Sequence, residues 1–171
     1  MPEKERIPLI AAPGAARAAT ADRGANGLTA NSMAAKESRD VDGRLLVLVV
    51  ERDPHIRELE AHFLELAGFA IEFASDGKAA LELARRVLPD VIITEILVPK
   101  LDGLALCRQI KADPVTSGIS VLIFSILAAS ARAKDAGADA FLSKPLANHR
   151  LVETVQTLLE QRRRSEPKEH T

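Results

Sequence analysis

The stretch LLVLVVERDPHIREL (45–59) decides the fold. Its first six residues are apolar without a break, so a strand built from them is buried on both faces. That is the habit of a parallel sheet, not of a half-wet antiparallel one. Asp53 and Pro54 then read as a helix N-cap followed by proline at the first helical position. Ile56, Leu59, Phe63 and Leu66 recur at helical spacing until Gly68 stops the helix. A buried strand passing through a short charged segment into a helix is the first half of a βα unit.

The pattern returns along the chain. Further short apolar runs stand at FAIEF (69–73), VIIT (91–94), ISVLIF (119–124) and AFL (140–142). Ala79, Leu81, Leu83 and Ala84 predict a second helix that closes before Pro89, and Asp102 can cap a third with Leu104, Leu106, Cys107 and Ile110, ending near Asp113-Pro114. The Ala-rich segment 128–136 has length for about two turns before Gly137. Leu151, Val155, Leu158 and Leu159 mark a final amphipathic helix after Pro145. Strand and helix alternate five times, which predicts a three-layer α/β sandwich with right-handed crossovers. Ligands of such folds meet the loops at the carboxyl ends of the strands.

Composition narrows the function classes. The 171 residues carry 23 Lys and Arg against 24 Asp and Glu, for a net charge of −1, which excludes a strongly basic nucleic-acid binder and a strongly acidic disordered chain. Aromatic residues are 3%, all Phe, so stacking platforms for single strands are poorly supplied. One cysteine, Cys107, excludes a disulfide framework and a multi-cysteine metal site; its helical spacing suits a small core residue. No apolar run approaches the roughly 18 residues of a membrane span. His55 and His62 are about 10.5 Å apart along a helix, and bonds of about 2 Å cannot bring both to one zinc ion.

Residues 1–43 hold eleven Ala, four Gly and three Pro with few large apolar side chains, and are expected to form a disordered arm. A polar tail is expected at 161–171, where Arg162, Arg163 and Arg164 suit the last turn of a helix through its dipole. The domain expected between them, 44–160, has the usual size of a single core.

The residues at the strand ends form a set: Glu51-Arg52-Asp53 after the first strand, Glu95 after the third, Ser125 after the fourth, Lys144-Pro145 after the fifth. With ASDGKAALELARRVLPDVIITE (74–95), VPKLDGLALCRQIKADP (98–114), ISVLIFS (119–125) and DAGADAFLSKP (135–145), the chain resembles a receiver domain of two-component response regulators. The resemblance implies a flavodoxin-like (βα)5 sandwich with strand order 2-1-3-4-5. It also implies phosphoryl transfer to the acid after the third strand, with two acids after the first holding a divalent metal. A hydroxyl residue and a lysine would contact the phosphoryl oxygens.

The sequence departs from that pattern at the chemistry itself. The acceptor position is Glu95, whose extra methylene moves the carboxylate by about 1.5 Å, and a 1 Å misplacement can cost about a hundredfold. The metal-holding acids fall on Glu51 and Arg52, so a guanidinium stands where a carboxylate is expected, with Asp53 assigned to the helix cap. Ile126 follows Ser125 where the family prefers a small residue, and is expected to block access. Glu51, Glu95, Arg52 and Lys144 sum to zero charge, so Glu95 is expected to pair with Lys144 or Arg52 and Mg²⁺ binding to be weak or absent. The longer carboxylate partly imitates an acyl phosphate in reach.

Phe141 matches the family's switch aromatic or is a half-buried edge aromatic; Ser125 is open to a local capping role. The family's Lys-Pro bond is commonly cis, so Pro145 is expected to be structural. The spacing from Ser125 to Lys144 is a few residues short, at the expense of the fourth helix. The expected function is a stand-alone, non-enzymatic, phosphorylation-independent interaction module in the cytoplasm. Its expected partner is a protein, through the face of the fourth helix, fifth strand and fifth helix, or a second copy, with no nucleic acid and no membrane. The rival expectation is a phosphorylatable receiver or phosphorelay intermediate using Glu95 or Asp53. A small hydrolase or flavin protein lacks its nucleophile elbow or phosphate loop.

Overall fold

A computed structural model describes residues 42–165. All but the last two residues of the expected arm, and the chain beyond 165, lie outside the described residues. The elements run β1 Leu46–Val50, α1 Pro54–Leu66, β2 Ala70–Ala74, α2 Gly77–Val87, β3 Val91–Thr94, α3 Gly103–Ala112, β4 Ser120–Ser125, α4 Ser130–Asp135, β5 Ala140–Ser143 and α5 Asn148–Ser165. All strand pairs are parallel and the order is β2-β1-β3-β4-β5, as expected for the flavodoxin-like sandwich.

The continuous apolar runs are explained by the two faces of the sheet. Val47, Val49, Val91, Ile93, Leu122 and Phe124 point to one side, where Leu64 of α1 and Leu151, Val155, Leu158 and Leu159 of α5 cover them. Leu48, Val50, Ile92, Val121 and Ile123 point to the other, against Ala80 and Ala84 of α2, Leu104 and Ile110 of α3, and Ala133 of α4. A fully buried side chain such as Leu64 contributes about 1.5–3 kcal/mol relative to exposure. The edge strands are less buried: Glu72 and Phe73 of β2 are exposed, with the Arg57 guanidinium 5.5 Å from the Phe73 ring centre.

Three of the helix starts are capped by aspartate, those of α1 and α3 as the sequence predicts. Asp53 accepts from the amides of His55 (2.9 Å) and Ile56 (3.4 Å) ahead of α1. Asp76 accepts from Ala79 and Asp102 from Leu104 and Ala105. Asp53→Ala is expected to cost about 1 kcal/mol, the usual loss of an N-cap, measured by urea unfolding. A wild-type midpoint would show that Asp53 is not the cap that holds this turn.

Two features differ from expectation. The stripe Ile56, Leu59, Phe63 and Leu66 belongs to α1 but does not face the sheet: Leu59 and Leu66 are 52% and 72% exposed. The inward face is Glu60, Ala61 and Leu64. The C-terminal helix also continues past residue 160, so the expected tail begins inside α5. Arg162 explains the extension, since its Nη1 donates to the Asp90 carbonyl (3.2 Å) at the entrance to β3.

Candidate functional site

The carboxyl ends of β1, β3, β4 and β5 lie side by side in the sheet, so the residues that leave them converge. Glu51 extends the ladder by donating its amide to the Ala74 carbonyl (3.1 Å), and Glu95 does the same to Val50 (3.1 Å). Lys144 donates its amide to the Ser125 carbonyl (2.8 Å), which carries the β4–β5 ladder one step further. The backbone thereby fixes Glu51, Glu95, Ser125 and Lys144 around one point before any side chain is placed.

Lys144 is at the centre. Its ammonium Nζ lies 2.7 Å from Glu51 Oε2, 3.3 Å from Glu60 Oε1 and 3.5 Å from Glu95 Oε2, with the side chain only 10% exposed. It also stands 4.9 Å from the Phe124 ring centre, within cation–π range. Burial works to lower its pKa, but the Glu51 hydrogen bond and the three surrounding carboxylates outweigh that and hold it above the usual lysine value.

Glu95 is saturated. Its Oε1 accepts from the Ile96 amide (2.7 Å), the Leu97 amide (3.4 Å) and the Ser125 hydroxyl; its Oε2 accepts from the Ile126 amide (3.3 Å). Ser125 Oγ in turn accepts from the Leu127 amide (3.1 Å), so its local capping role and its contact with Glu95 coexist. Glu51 Oε1 accepts from the Asp53 amide (3.0 Å), and the Glu51 carbonyl from Arg57 (3.3 Å).

Of the residues read from the sequence, Glu51, Glu95, Ser125 and Lys144 are brought together. Asp53 is turned to the α1 cap. Arg52 is not part of the cluster: it is exposed, and of the two expected partners of Glu95, Lys144 or Arg52, the structure gives Lys144. The buried run of β1 continues through Glu51 and ends there, and Arg52, one residue on, is exposed. Among the described residues, the cation beside Glu95 is Lys144. Ile126 stands at the pocket mouth, 65% exposed. Phe141 is half-buried, against the α2–α3–α4 core, and the Lys144–Pro145 bond is cis.

The residue missed in the sequence is Glu60, 6% exposed on the inward face of α1. Burial pushes its carboxyl up to about 7 from 4.5, against the pull of Lys144. The available signal was its helical spacing to Leu64 on one face, an acid where apolar residues belong. Among the described residues, no three His, Cys, Asp or Glu are placed to hold a metal ion. No helix among the described residues is long and apolar enough to cross a membrane. Cys107 is buried, its thiol pushed up to about 11 chiefly by burial, as a core residue would be.

Known proteins are similar to this chain in sequence and fold. The family model "Response regulator receiver domain" matches residues 47–156. The chain is 35% identical over 122 residues to "Response regulator MprA" of Mycobacterium leprae, covering 71% of this chain and 52% of that protein. It is 33% identical over 116 residues to the "DNA-binding dual master transcriptional regulator RpaA" of Synechocystis, covering 66% and 48%. The chain thus spans about half the length of the curated relatives it matches. The crystal structure of the signal receiver domain of a histidine kinase from Syntrophus aciditrophicus is 32% identical, superposing with a TM-score of 0.66 over 74% of this chain and 96% of that one. Five parallel strands, acids and a lysine at their carboxyl ends, and this kinship have one reading: the chain belongs to the response regulator receiver domain family.

Proposed function

We propose that this receiver signals through protein contacts without accepting a phosphoryl group, as an atypical, non-enzymatic member of its family. The observation that carries this is the occupancy of Glu95. Ser125 Oγ and the Ile126 amide already donate to its carboxylate, and Lys144 lies 3.5 Å away. Of the donors that the family resemblance assigns to phosphoryl oxygens, the Ser125 hydroxyl is therefore taken by the acceptor's own longer side chain, and Lys144 is held among the pocket's carboxylates, nearest Glu51. Preorganised donors stabilise whatever negative charge sits among them, and here the group seated among them is the Glu95 carboxylate itself.

The same residues do not fit a divalent cation. The Lys144 ammonium occupies the place where carboxylates converge, 2.7 Å from Glu51, and the second acid position of the β1–α1 turn is the exposed Arg52. A hard cation needs several free oxygen ligands, while those of Glu95 are spent on hydrogen bonds. We therefore read the pocket as working without Mg²⁺ or another cofactor. The exposed Ile126 adds an apolar side chain at the mouth, where a phosphoryl donor would approach.

On this reading the partner is a protein rather than nucleic acid or membrane, met in the cytoplasm through the α4–β5–α5 face or through a second copy of the same face. α4 is six residues long, so that face differs in shape from one with a full helix.

The rival reading, a phosphorylatable receiver or relay intermediate, draws on the kinship with the named response regulators. Incubation with acetyl phosphate and Mg²⁺ followed by intact-mass measurement separates them. The expected result is no gain of about 80 Da, the mass of the transferred HPO₃ group. A labile adduct that disappears in Glu95→Gln or in Asp53→Asn would overturn the proposal and name the acceptor.

A further inference from the structure

Glu60 has no part in the chemistry that the family resemblance implies, yet it is the least satisfied charge in the pocket. Glu95 has four hydrogen-bond donors, and Glu51 has the Asp53 amide and the closest approach of Lys144. Glu60 Oε1 lies 3.3 Å from Lys144 Nζ but is buried without a hydrogen bond. Three carboxylates and one ammonium sum to −2, and a single proton brings the cluster to −1. A buried carboxylate with few donors is the one that takes such a proton.

We infer that the buried carboxyl of Glu60 is a proton-binding site, and that filling or emptying it redistributes the Lys144 ammonium among Glu51, Glu60 and Glu95. With the proton on, Glu60 is neutral and Lys144 is shared by Glu51 and Glu95. With the proton off, Glu60 competes for the ammonium and draws it towards α1, away from Glu95. Glu95 then leans more heavily on Ser125 and Ile126, so the change reaches the β4–α4 turn. The midpoint lies near neutrality, because burial raises the Glu60 pKa to about 7.

The charged groups that act on Glu60 come from three elements: Lys144 after β5, Glu51 after β1 and Glu95 after β3. From α5, the face turned to the core is Leu151, Val155, Leu158 and Leu159, and from β2 the acid Glu72 is exposed. The histidines of α1, His55 and His62, are exposed as well. The inference rests on this pocket geometry and not on the absence of phosphoryl transfer, so the acetyl phosphate result leaves it standing either way.

The test is NMR on the full chain with ¹³C-labelled glutamate carboxyls, together with the amides of Ser125, Ile126, Leu127 and Lys144, followed across neutrality. One carboxyl is expected to titrate with a midpoint near 7, and the four amides to shift with the same midpoint. Both titrations are expected to vanish in Glu60→Gln, which keeps the shape and removes the proton site. Carboxyl midpoints all below about 5, near the ordinary glutamate value, would overturn the inference. So would amide shifts that persist unchanged in Glu60→Gln, since a histidine would then be their source. If Glu60→Gln fails to fold, the wild-type carboxyl titration decides alone.

Discussion

Lys144→Met is expected to destabilise the chain by about 3–5 kcal/mol at pH 8, the range for stranding buried charges by deleting one partner. Glu51, Glu60 and Glu95 are 4%, 6% and 6% exposed, and Lys144 is paired with all three. Methionine keeps the aliphatic stem, so lost packing does not account for the loss. The cost should shrink towards pH 5, because carboxyls deprived of the ammonium take up protons. Wild type has a milder dependence of the same origin. The Glu60 pKa is raised in the fold, from 4.5 to about 7. The stability it lends is therefore fully present below about pH 4.5 and is lost as pH rises through about 7. Urea unfolding of wild type and Lys144→Met at pH 5 and pH 8 tests both statements. A loss of equal size at the two values would show that the cluster is not held together by charge.

Gly103→Ala is the second large effect, expected to cost about 3 kcal/mol, the upper part of the usual range for overpacking. A Cβ at this position would lie 2.2 Å from the Glu95 carbonyl oxygen and 3.0 Å from the Ile96 Cα. Both are backbone atoms, and the Gly103 amide donates to the Ile96 carbonyl (2.9 Å), so neither side yields cheaply. Alanine's better helix propensity, worth about 1 kcal/mol, does not offset that clash. Differential scanning calorimetry should show a fall of about 10 °C or more for a domain of this size. An unchanged melting temperature would mean that α3 is free to slide away from the end of β3. The glycine is thus what lets α3 start against the peptide carrying Glu95.

The sheet was legible because its strands are buried on both faces. LLVLVV, VIIT and ISVLIF can hardly be anything but central strands, and the aspartates before α1, α2 and α3 announce where the chain turns into helix. Glu51, Glu95 and Ser125 were legible too, since each directly follows or ends such a strand, and Lys144 directly follows the edge strand β5. The orientation of α1 was not. Its longest apolar stripe, Ile56, Leu59, Phe63 and Leu66, looks like an inward face but is largely exposed. The true inward face carries small Ala61 beside Glu60, and an acid is buried there only because Lys144 arrives from the far end of the sheet. Arg52 failed for a related reason. Its charge suited the pocket, but one residue beyond the buried Glu51 it is exposed, and charge bookkeeping without direction left it a rival to Lys144 as the partner of Glu95.

The brevity of α4 bears on how this molecule can respond. Six residues without a side-chain cap, seated on the single buried methyl of Ala133, form the least anchored helix beside the pocket. Segments with so little buried apolar surface open locally at a fraction of the global unfolding free energy. The wall next to Ser125 is therefore soft while the sheet beneath it is rigid. A binding protein can mould that wall to its own contour without disturbing a single strand.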